Sequence, residues 1–311
     1  MKDNSPLVSI CCITYNHAPY IQQCLDGFMM QQTNFAFEVL IHDDASIDGT
    51  TEIIKEYEAK YPDVIKPLYE EENQWVKGRR GSAVFNFPRA KGKYIAMCEG
   101  DDYWIDPYKL QKQVDFLEIN LNYSMVFHSV KEKIEDTVSK IISSEEMPKL
   151  EERDYCGNEI IGNWTVPTCS ILYRKEYLLK SNYYYRIQSK KYIYGDIILF
   201  LSLAEVGKIR CLTIEPLAVY RRHITGITFQ IRGQWEKQIN HLEHLKKDFN
   251  GKYKKECNAS LGWMYFDWFT SEYSKRNYKC MYYLFKSFIC KPKTTIKLLK
   301  KLISFKISAS I

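Results

Sequence analysis

The chain has 311 residues, 45% hydrophobic and 26% charged, which suits one large globular domain with an appendage and excludes a disordered or fibrous protein. Its 44 basic and 38 acidic residues leave a net charge of +6, too mild to point to nucleic acid, and no apolar stretch is long enough to span a bilayer. Ten cysteines include no Cys-x-x-Cys pair, which argues against zinc. Cys11, Cys12 and Cys98 lie in apolar runs, and residues 1–6 carry no secretory core, so the expected setting is reducing and cytoplasmic.

Residues 7–13 form a nearly continuous apolar run, the pattern of a strand covered on both faces, and Thr14-Tyr15-Asn16-His17 ends it. Pro19 sits where a helix can begin, and Ile21, Leu25, Phe28 and Met29 follow at helical spacing. Residues 37–41 read as a second strand, a helix follows Asp48, and residues 64–69 read as a third strand. The charged, glycine-punctuated stretch 70–81 reads as a loop, 82–89 as a helix and 94–98 as a strand after the turn Lys91-Gly92-Lys93. Beyond it the pattern predicts a helix over 107–119, a strand over 123–128, an excursion or hairpin over 131–158 and a strand over 168–173. A helix over 197–206 and strands over 209–212 and 217–220 close the alternating region. Strands alternating with helices predict an α/β fold with a mostly parallel central sheet flanked by helices. After Gly226 three helical patterns follow with no strand between them, so we expect a catalytic domain over 1–226 and a C-terminal helical region over 227–311.

Two predicted strands end in carboxylate pairs, Asp43-Asp44 and Asp101-Asp102, and the first ends in Thr14-Tyr15-Asn16. In an open parallel sheet these three turns share the edge where ligands bind. Crowded carboxylates repel, and a cation is the usual remedy; the plainer reading is an acidic turn, or Asp102 capping the next helix. An aromatic ring, an amide and carboxylates on one edge suit a nucleotide diphosphate with a metal. A Gly-x-Gly-x-x-Gly turn and a phosphate-binding Gly-Lys-Ser/Thr are both absent, which argues against a nicotinamide dehydrogenase and a P-loop enzyme.

Three anchors, Val8-Ser9-Ile10 leading to Thr14-Tyr15-Asn16, the turn Asp43-Asp44-Ala45-Ser46-Ile47-Asp48-Gly49-Thr50, and Ala90-Lys91-Gly92-Lys93-Tyr94-Ile95 leading to Glu99-Gly100-Asp101-Asp102, occur in order. In these the chain resembles the family 2 glycosyltransferases of GT-A fold over residues 6–226. The resemblance implies an inverting, metal-dependent transferase of a nucleotide-diphospho-sugar, a UDP-sugar first, acting in polysaccharide or cell-surface glycan synthesis. Thr14, Tyr15 and Asn16 would line the nucleotide pocket with Asp43, Asp44 and Asp101, Asp44 accepting a hydrogen bond from the base. Asp101 and Asp102 would hold Mg²⁺ or Mn²⁺, with His223 completing the site. Glu99 stands where the family usually has Asp. Asp196, which opens a helix, would be the general base, and Trp164 and Thr168 would face the acceptor, a glycan or a lipid-linked saccharide. Arg221 and Arg222 beside His223 favour an anionic ligand, and Arg79 and Arg80 could reach phosphates. A non-catalytic nucleotide-sugar binder of the same fold is the alternative.

The tail, 286–306, alternates lysines with large apolar residues at helical spacing. Two readings stand: a helix lying on the inner face of an anionic membrane, or one packed on the protein with its lysines in water.

Overall fold

The computed structural model describes residues 5–79, 81–134, 143–146, 150–163, 166–188, 192–231 and 233–308. Among the described residues, ten strands are β1 Val8–Thr14, β2 Phe37–Asp43, β3 Ile65–Tyr69, β4 Tyr94–Met97, β5 Tyr103–Trp104, β6 Tyr123–Ile134, β7 Ser143–Glu146, β8 Asp154–Tyr155, β9 Leu172–Arg174 and β10 Lys208–Arg222. The helices of the sheet region are α1 Ile21–Met29, α2 Thr50–Lys60, α3 Ser82–Phe85, α4 Lys109–Ile119, α5 Gly157–Asn163, α6 Lys175–Lys180, α7 Tyr183–Ile187, α8 Gly195–Val206 and α9 Ile227–Gln230. Four more follow: α10 Trp235–Asp248, α11 Lys254–Ser274, α12 Cys280–Cys290 and α13 Pro292–Ser308. The chain separates into two compact units, residues 1–160, 165–190 and 195–229 in one and 161–164, 191–194 and 230–311 in the other.

The first unit is built on one sheet in the order β3-β2-β1-β4-β9-β6-β10-β5, with β7 beside β6 and β8 beside β10. β1, β2, β3 and β4 are parallel, β6 and β10 run with them, and β9 and β5 run against them, so the sheet is mostly parallel. The apolar run of β1 makes sense in its centre: Val8, Ile10, Cys11 and Cys12 are all buried. Ile21, Cys24, Leu25 and Phe28 of α1 join the same core. A side chain such as Phe28 contributes about 1.5–3 kcal/mol when fully withdrawn from water.

Local chemistry fixes the start of β4. Ser9 Oγ donates to Glu38 Oε1 at 2.6 Å and accepts the Gly92 N–H at 2.8 Å, and Glu38 Oε1 also accepts the Lys91 N–H at 2.8 Å. A Cβ at Gly92 would lie 2.5 Å from the Ser9 nitrogen, so the Lys-Gly-Lys turn needs its glycine for a close approach.

Several elements differ from the sequence reading, among them α6 and α7, which it did not name. Residues 168–170 form a 3₁₀ turn and the strand begins only at Leu172, because β9 is a short antiparallel insert between β4 and β6. The two strands expected over 209–220 are one, β10, which shifts register between Cys211 and Ala218, around Pro216, and so stays continuous. The helix expected over 82–89 is a single α turn followed by a 3₁₀ turn with Pro88 inside it. β5 was not anticipated: two residues suffice because the Trp104 indole donates to the Cys169 carbonyl at 2.9 Å and packs edge-on against Phe28 at 4.8 Å. The expected excursion after residue 131 contains the β6–β7 hairpin.

Candidate active site

The three anticipated turns meet at one edge of the sheet. Thr14 is in register with Asp43, and Cys11 with Met97, so the ends of β1, β2 and β4 lie side by side. The Gly100 N–H donates to the Ile13 carbonyl at 3.0 Å, and a Cβ at Gly100 would lie 2.6 Å from Thr14 Oγ1. The Asn16 N–H donates to Ser46 Oγ and its side-chain oxygen accepts the Ile47 N–H, each at 2.9 Å, which clips the first turn to the second. Asn16 and Ala45 take the left-handed conformation, φ 53° and 62°, as this clip demands.

The carboxylates divide into two groups. Asp43 is buried and spends both oxygens on its own turn, accepting the Ser46 N–H and hydroxyl and the Thr51 hydroxyl. Asp44 accepts the backbone N–H groups of Gln74 and Trp75 at 2.6 and 3.1 Å and so anchors the loop after β3. Both carboxylates and Asn16 thus tie the turns and loops of this edge together. Tyr15 has 44% of its surface exposed, and Thr14 Oγ1 is buried with no hydrogen-bond partner among the described residues.

The second group surrounds Asp101. Asp101 Oδ2 lies 3.0 Å from His223 Nε2 and 3.9 Å from His17 Nε2, and its Oδ1 is buried without a partner. His223 Nδ1 lies 2.7 Å from the Thr225 hydroxyl, and the Tyr20 ring packs against the imidazole at 4.9 Å. Burial works against charge on Asp101, but the hydrogen bond from His223 and the field of His17 hold its pKa below the usual carboxylate value. Burial in turn lowers the pKa of His17, against the Asp101 carboxylate, which raises it. Ligand atoms of His17, Asp101 and His223 lie within 4.8 Å of one another, as do those of Glu99, Asp101 and Asp102. Two imidazoles and a carboxylate with a spare buried oxygen fit a divalent cation.

Asp102 uses one oxygen and leaves its Oδ2 buried without a hydrogen-bond partner among the described residues. It is fully buried, accepts the Arg221 N–H at 2.8 Å, and burial pushes its pKa well above the carboxylate range. Arg221 is also engaged: its guanidinium donates to the Asp101 carbonyl at 2.6 Å and to Gln23, and lies between the rings of Tyr20 and Tyr103. Arg222 pairs with Glu132 at 3.0 Å. Both arginines thus bond within the protein, Arg221 to the acidic turn itself. Arg79 donates to Gln74 Oε1 at 3.2 Å; Arg80 and Trp164 lie outside the described residues.

Asp196, at the start of α8, accepts the Ile197 N–H at 2.8 Å, and burial raises its pKa; Thr168 is buried in the 3₁₀ turn before β9. Glu99 rises to about 8 through burial and then through the fields of Asp101 and Asp196. Asp196 thus lies within electrostatic reach of Glu99. His17 and Tyr20 escaped the sequence reading; their signal was their place in the turn that already held Tyr15 and Asn16.

The model of glycosyl transferase family 2 matches residues 9–180. The chain belongs to this family. Among its relatives, the uncharacterized Mycobacterium tuberculosis protein Rv1520 is 37% identical over 220 residues, 71% of this chain and 60% of that protein. The chain thus spans about three-fifths of that relative's length. The Escherichia coli UDP-Glc:alpha-D-GlcNAc-diphosphoundecaprenol beta-1,3-glucosyltransferase WfaP is 34% identical over 112 residues, 36% of this chain and 41% of WfaP. In fold, the family 2 chain is similar to the Pyrobaculum calidifontis mannosyltransferase PcManGT in complex with GDP-Man and Mn²⁺ (TM-score 0.56, 15% identity, 97% of this chain, 81% of that one). It is also similar to S. aureus TarS 1–349 in complex with UDP-GlcNAc (TM-score 0.50, 17% identity, 83% and 80%). The expected GT-A architecture is the one observed.

Proposed function

We propose that the protein transfers a sugar from a nucleotide-diphosphate donor, a UDP-sugar first, to an acceptor hydroxyl with inversion, and that residues 1–226 form the catalytic domain. The observation that carries this is the convergence of the β1, β2 and β4 turns at one sheet edge, where ligand atoms of Asp101, His17 and His223 cluster and Tyr15 is exposed. The Tyr15 ring offers the base a stacking face, Thr14 Oγ1 a buried hydroxyl, and the loop pinned by Asp44 closes the pocket. Asp101, Asp102 and His223, with His17 near Asp101, would hold Mg²⁺ or Mn²⁺; Asp102 Oδ1 also keeps the turn in place through the Arg221 N–H. A bound divalent cation supplies charge neutralisation for the departing diphosphate. With its Nε2 given to the cation, His223 would present Nδ1–H to the Thr225 hydroxyl, which fixes the ring.

Asp196 acts as the base. The acceptor oxygen forms its bond to the anomeric carbon, the bond to the diphosphate breaks on the opposite face, and the acceptor proton passes to the Asp196 carboxylate. The raised pKa of a partly withdrawn carboxylate suits a proton acceptor, and Thr168 would face the acceptor. Cell-envelope polysaccharide synthesis, with a glycan or lipid-linked acceptor at the inner membrane face, is the setting we propose. A panel of nucleotide sugars, assayed for transfer and hydrolysis with and without Mn²⁺, tests the reading. Metal-dependent turnover that Asp196→Asn lowers by roughly 100-fold or more supports it. Wild-type turnover in the variant removes Asp196 as the base.

A further inference from the structure

The excess positive charge of this chain lies at one end. Residues 275–311 hold ten lysines and arginines and no acidic residue, leaving 34 basic against 38 acidic residues in all the rest. Within this segment α13 partly covers its leucines: Leu298, Leu299 and Leu302 pack with Tyr283 and Leu284 on Phe266 and Phe269, while Ile296 and Ile303 stay exposed. The larger exposed apolar face belongs to α12 and the turn before it. Tyr278, Met281, Tyr282, Phe285, Phe288 and Ile289, spaced i, i+3, i+4, i+7, i+10 and i+11, are each 45–83% exposed. The opposite side of α12, with Cys280 and Ser287, is buried: Ser287 Oγ donates to the Gly262 carbonyl at 2.8 Å.

Six large side chains on one outward helix face exceed the scattered apolar exposure of an ordinary soluble surface. A second copy of the chain is a poor occupant: an isologous contact would bring two segments of ten positive charges together with no acid between them. Lysines beside aromatic and methionine side chains instead complement a surface with negative headgroups over hydrocarbon. Lys286 lies over the Tyr282 ring at 5.5 Å, its charge at the rim of the apolar face.

We infer that this outward face of α12 is a docking surface for an anionic lipid bilayer, with Met281, Phe285 and Phe288 entering the headgroup boundary and the lysines of 275–301 meeting the headgroups. This rests on the membrane setting proposed above and names its face and lipid class.

Flotation of the full chain with vesicles of phosphatidylcholine alone, or containing one third phosphatidylglycerol, tests it. We expect binding to the anionic vesicles at least about tenfold tighter than to the neutral ones, weakening with salt. The double variant Phe285→Ser/Phe288→Ser should lose about tenfold or more on anionic vesicles, whereas Ile296→Ser on α13 should stay within about twofold. Both altered faces are exposed, and circular dichroism checks that the helices persist. Equal binding to the two vesicle types, unchanged binding by the double variant, or a wild-type dimer in light scattering that the double variant dissociates would overturn the assignment. Metal-dependent hydrolysis of the nucleotide sugar on the same preparations reports separately on the transferase reading, so either claim can fail alone.

Discussion

Replacing Arg221 by Met keeps the backbone N–H that holds Asp102 but removes the guanidinium that holds the Asp101 carbonyl. The lost hydrogen bond from a charged donor is worth about 1.5–3 kcal/mol. The Tyr20 and Tyr103 rings, 5.0 and 4.4 Å from the guanidinium carbon, add about 0.5–1 kcal/mol each. Gln23 also loses its charged partner. We therefore expect Arg221→Met to lower the unfolding free energy by about 3–5 kcal/mol. Urea unfolding followed by tryptophan fluorescence without added metal measures it, and Arg221→Lys, which cannot span the same acceptors in one plane, should fall between the two. A loss under about 1 kcal/mol would refute this role for Arg221, because one charged hydrogen bond alone exceeds that.

Gly100→Ala should perturb the site more than its size suggests, since the new methyl would meet Thr14 Oγ1 at 2.6 Å and Thr14 Cβ at 2.8 Å; we expect at least about tenfold weaker donor binding, read by calorimetry. Lys109, fully buried against the Trp104 ring and bonded to Gln113 Oε1, has its pKa lowered from 10.5 to about 7 by burial. Between those values the unfolded chain holds a proton that the folded chain has lost, so this group makes stability rise with pH across that window; its full penalty persists below about pH 7. The urea midpoint of wild type, measured relative to Lys109→Met, should therefore increase from pH 7 to pH 9. Turnover should fall on the acid side above the ordinary carboxylate range, because burial raises the pKa of Asp196 and the base must be ionised; a pH–rate profile of wild type checks this.

The strand ends were legible because β1, β2 and β4 are apolar runs that stop at polar turns, and a parallel sheet puts such turns on one edge. The division of labour among the carboxylates was not. Asp101 and Asp102 are identical neighbours in sequence, and only Arg221, 119 residues after Asp102, turns one into an anchored, buried acid and leaves the other beside two imidazoles. Asp44 likewise shows its occupation only when the Gln74 and Trp75 amides arrive from a loop with no periodicity. In the tail, spacing gave both α12 and α13 an apolar face, but which face is covered depends on α11 packing, which no local pattern encodes.

Calorimetric titration of UDP with and without Mn²⁺, on wild type and on Asp101→Asn, addresses the central claim that one edge of the sheet unites base, diphosphate and cation sites. We predict that Mn²⁺ tightens UDP at least about tenfold in wild type and that Asp101→Asn abolishes this gain while retaining weak metal-free binding. Equal UDP affinity with and without Mn²⁺ in wild type, or an undiminished gain in the variant, would contradict it.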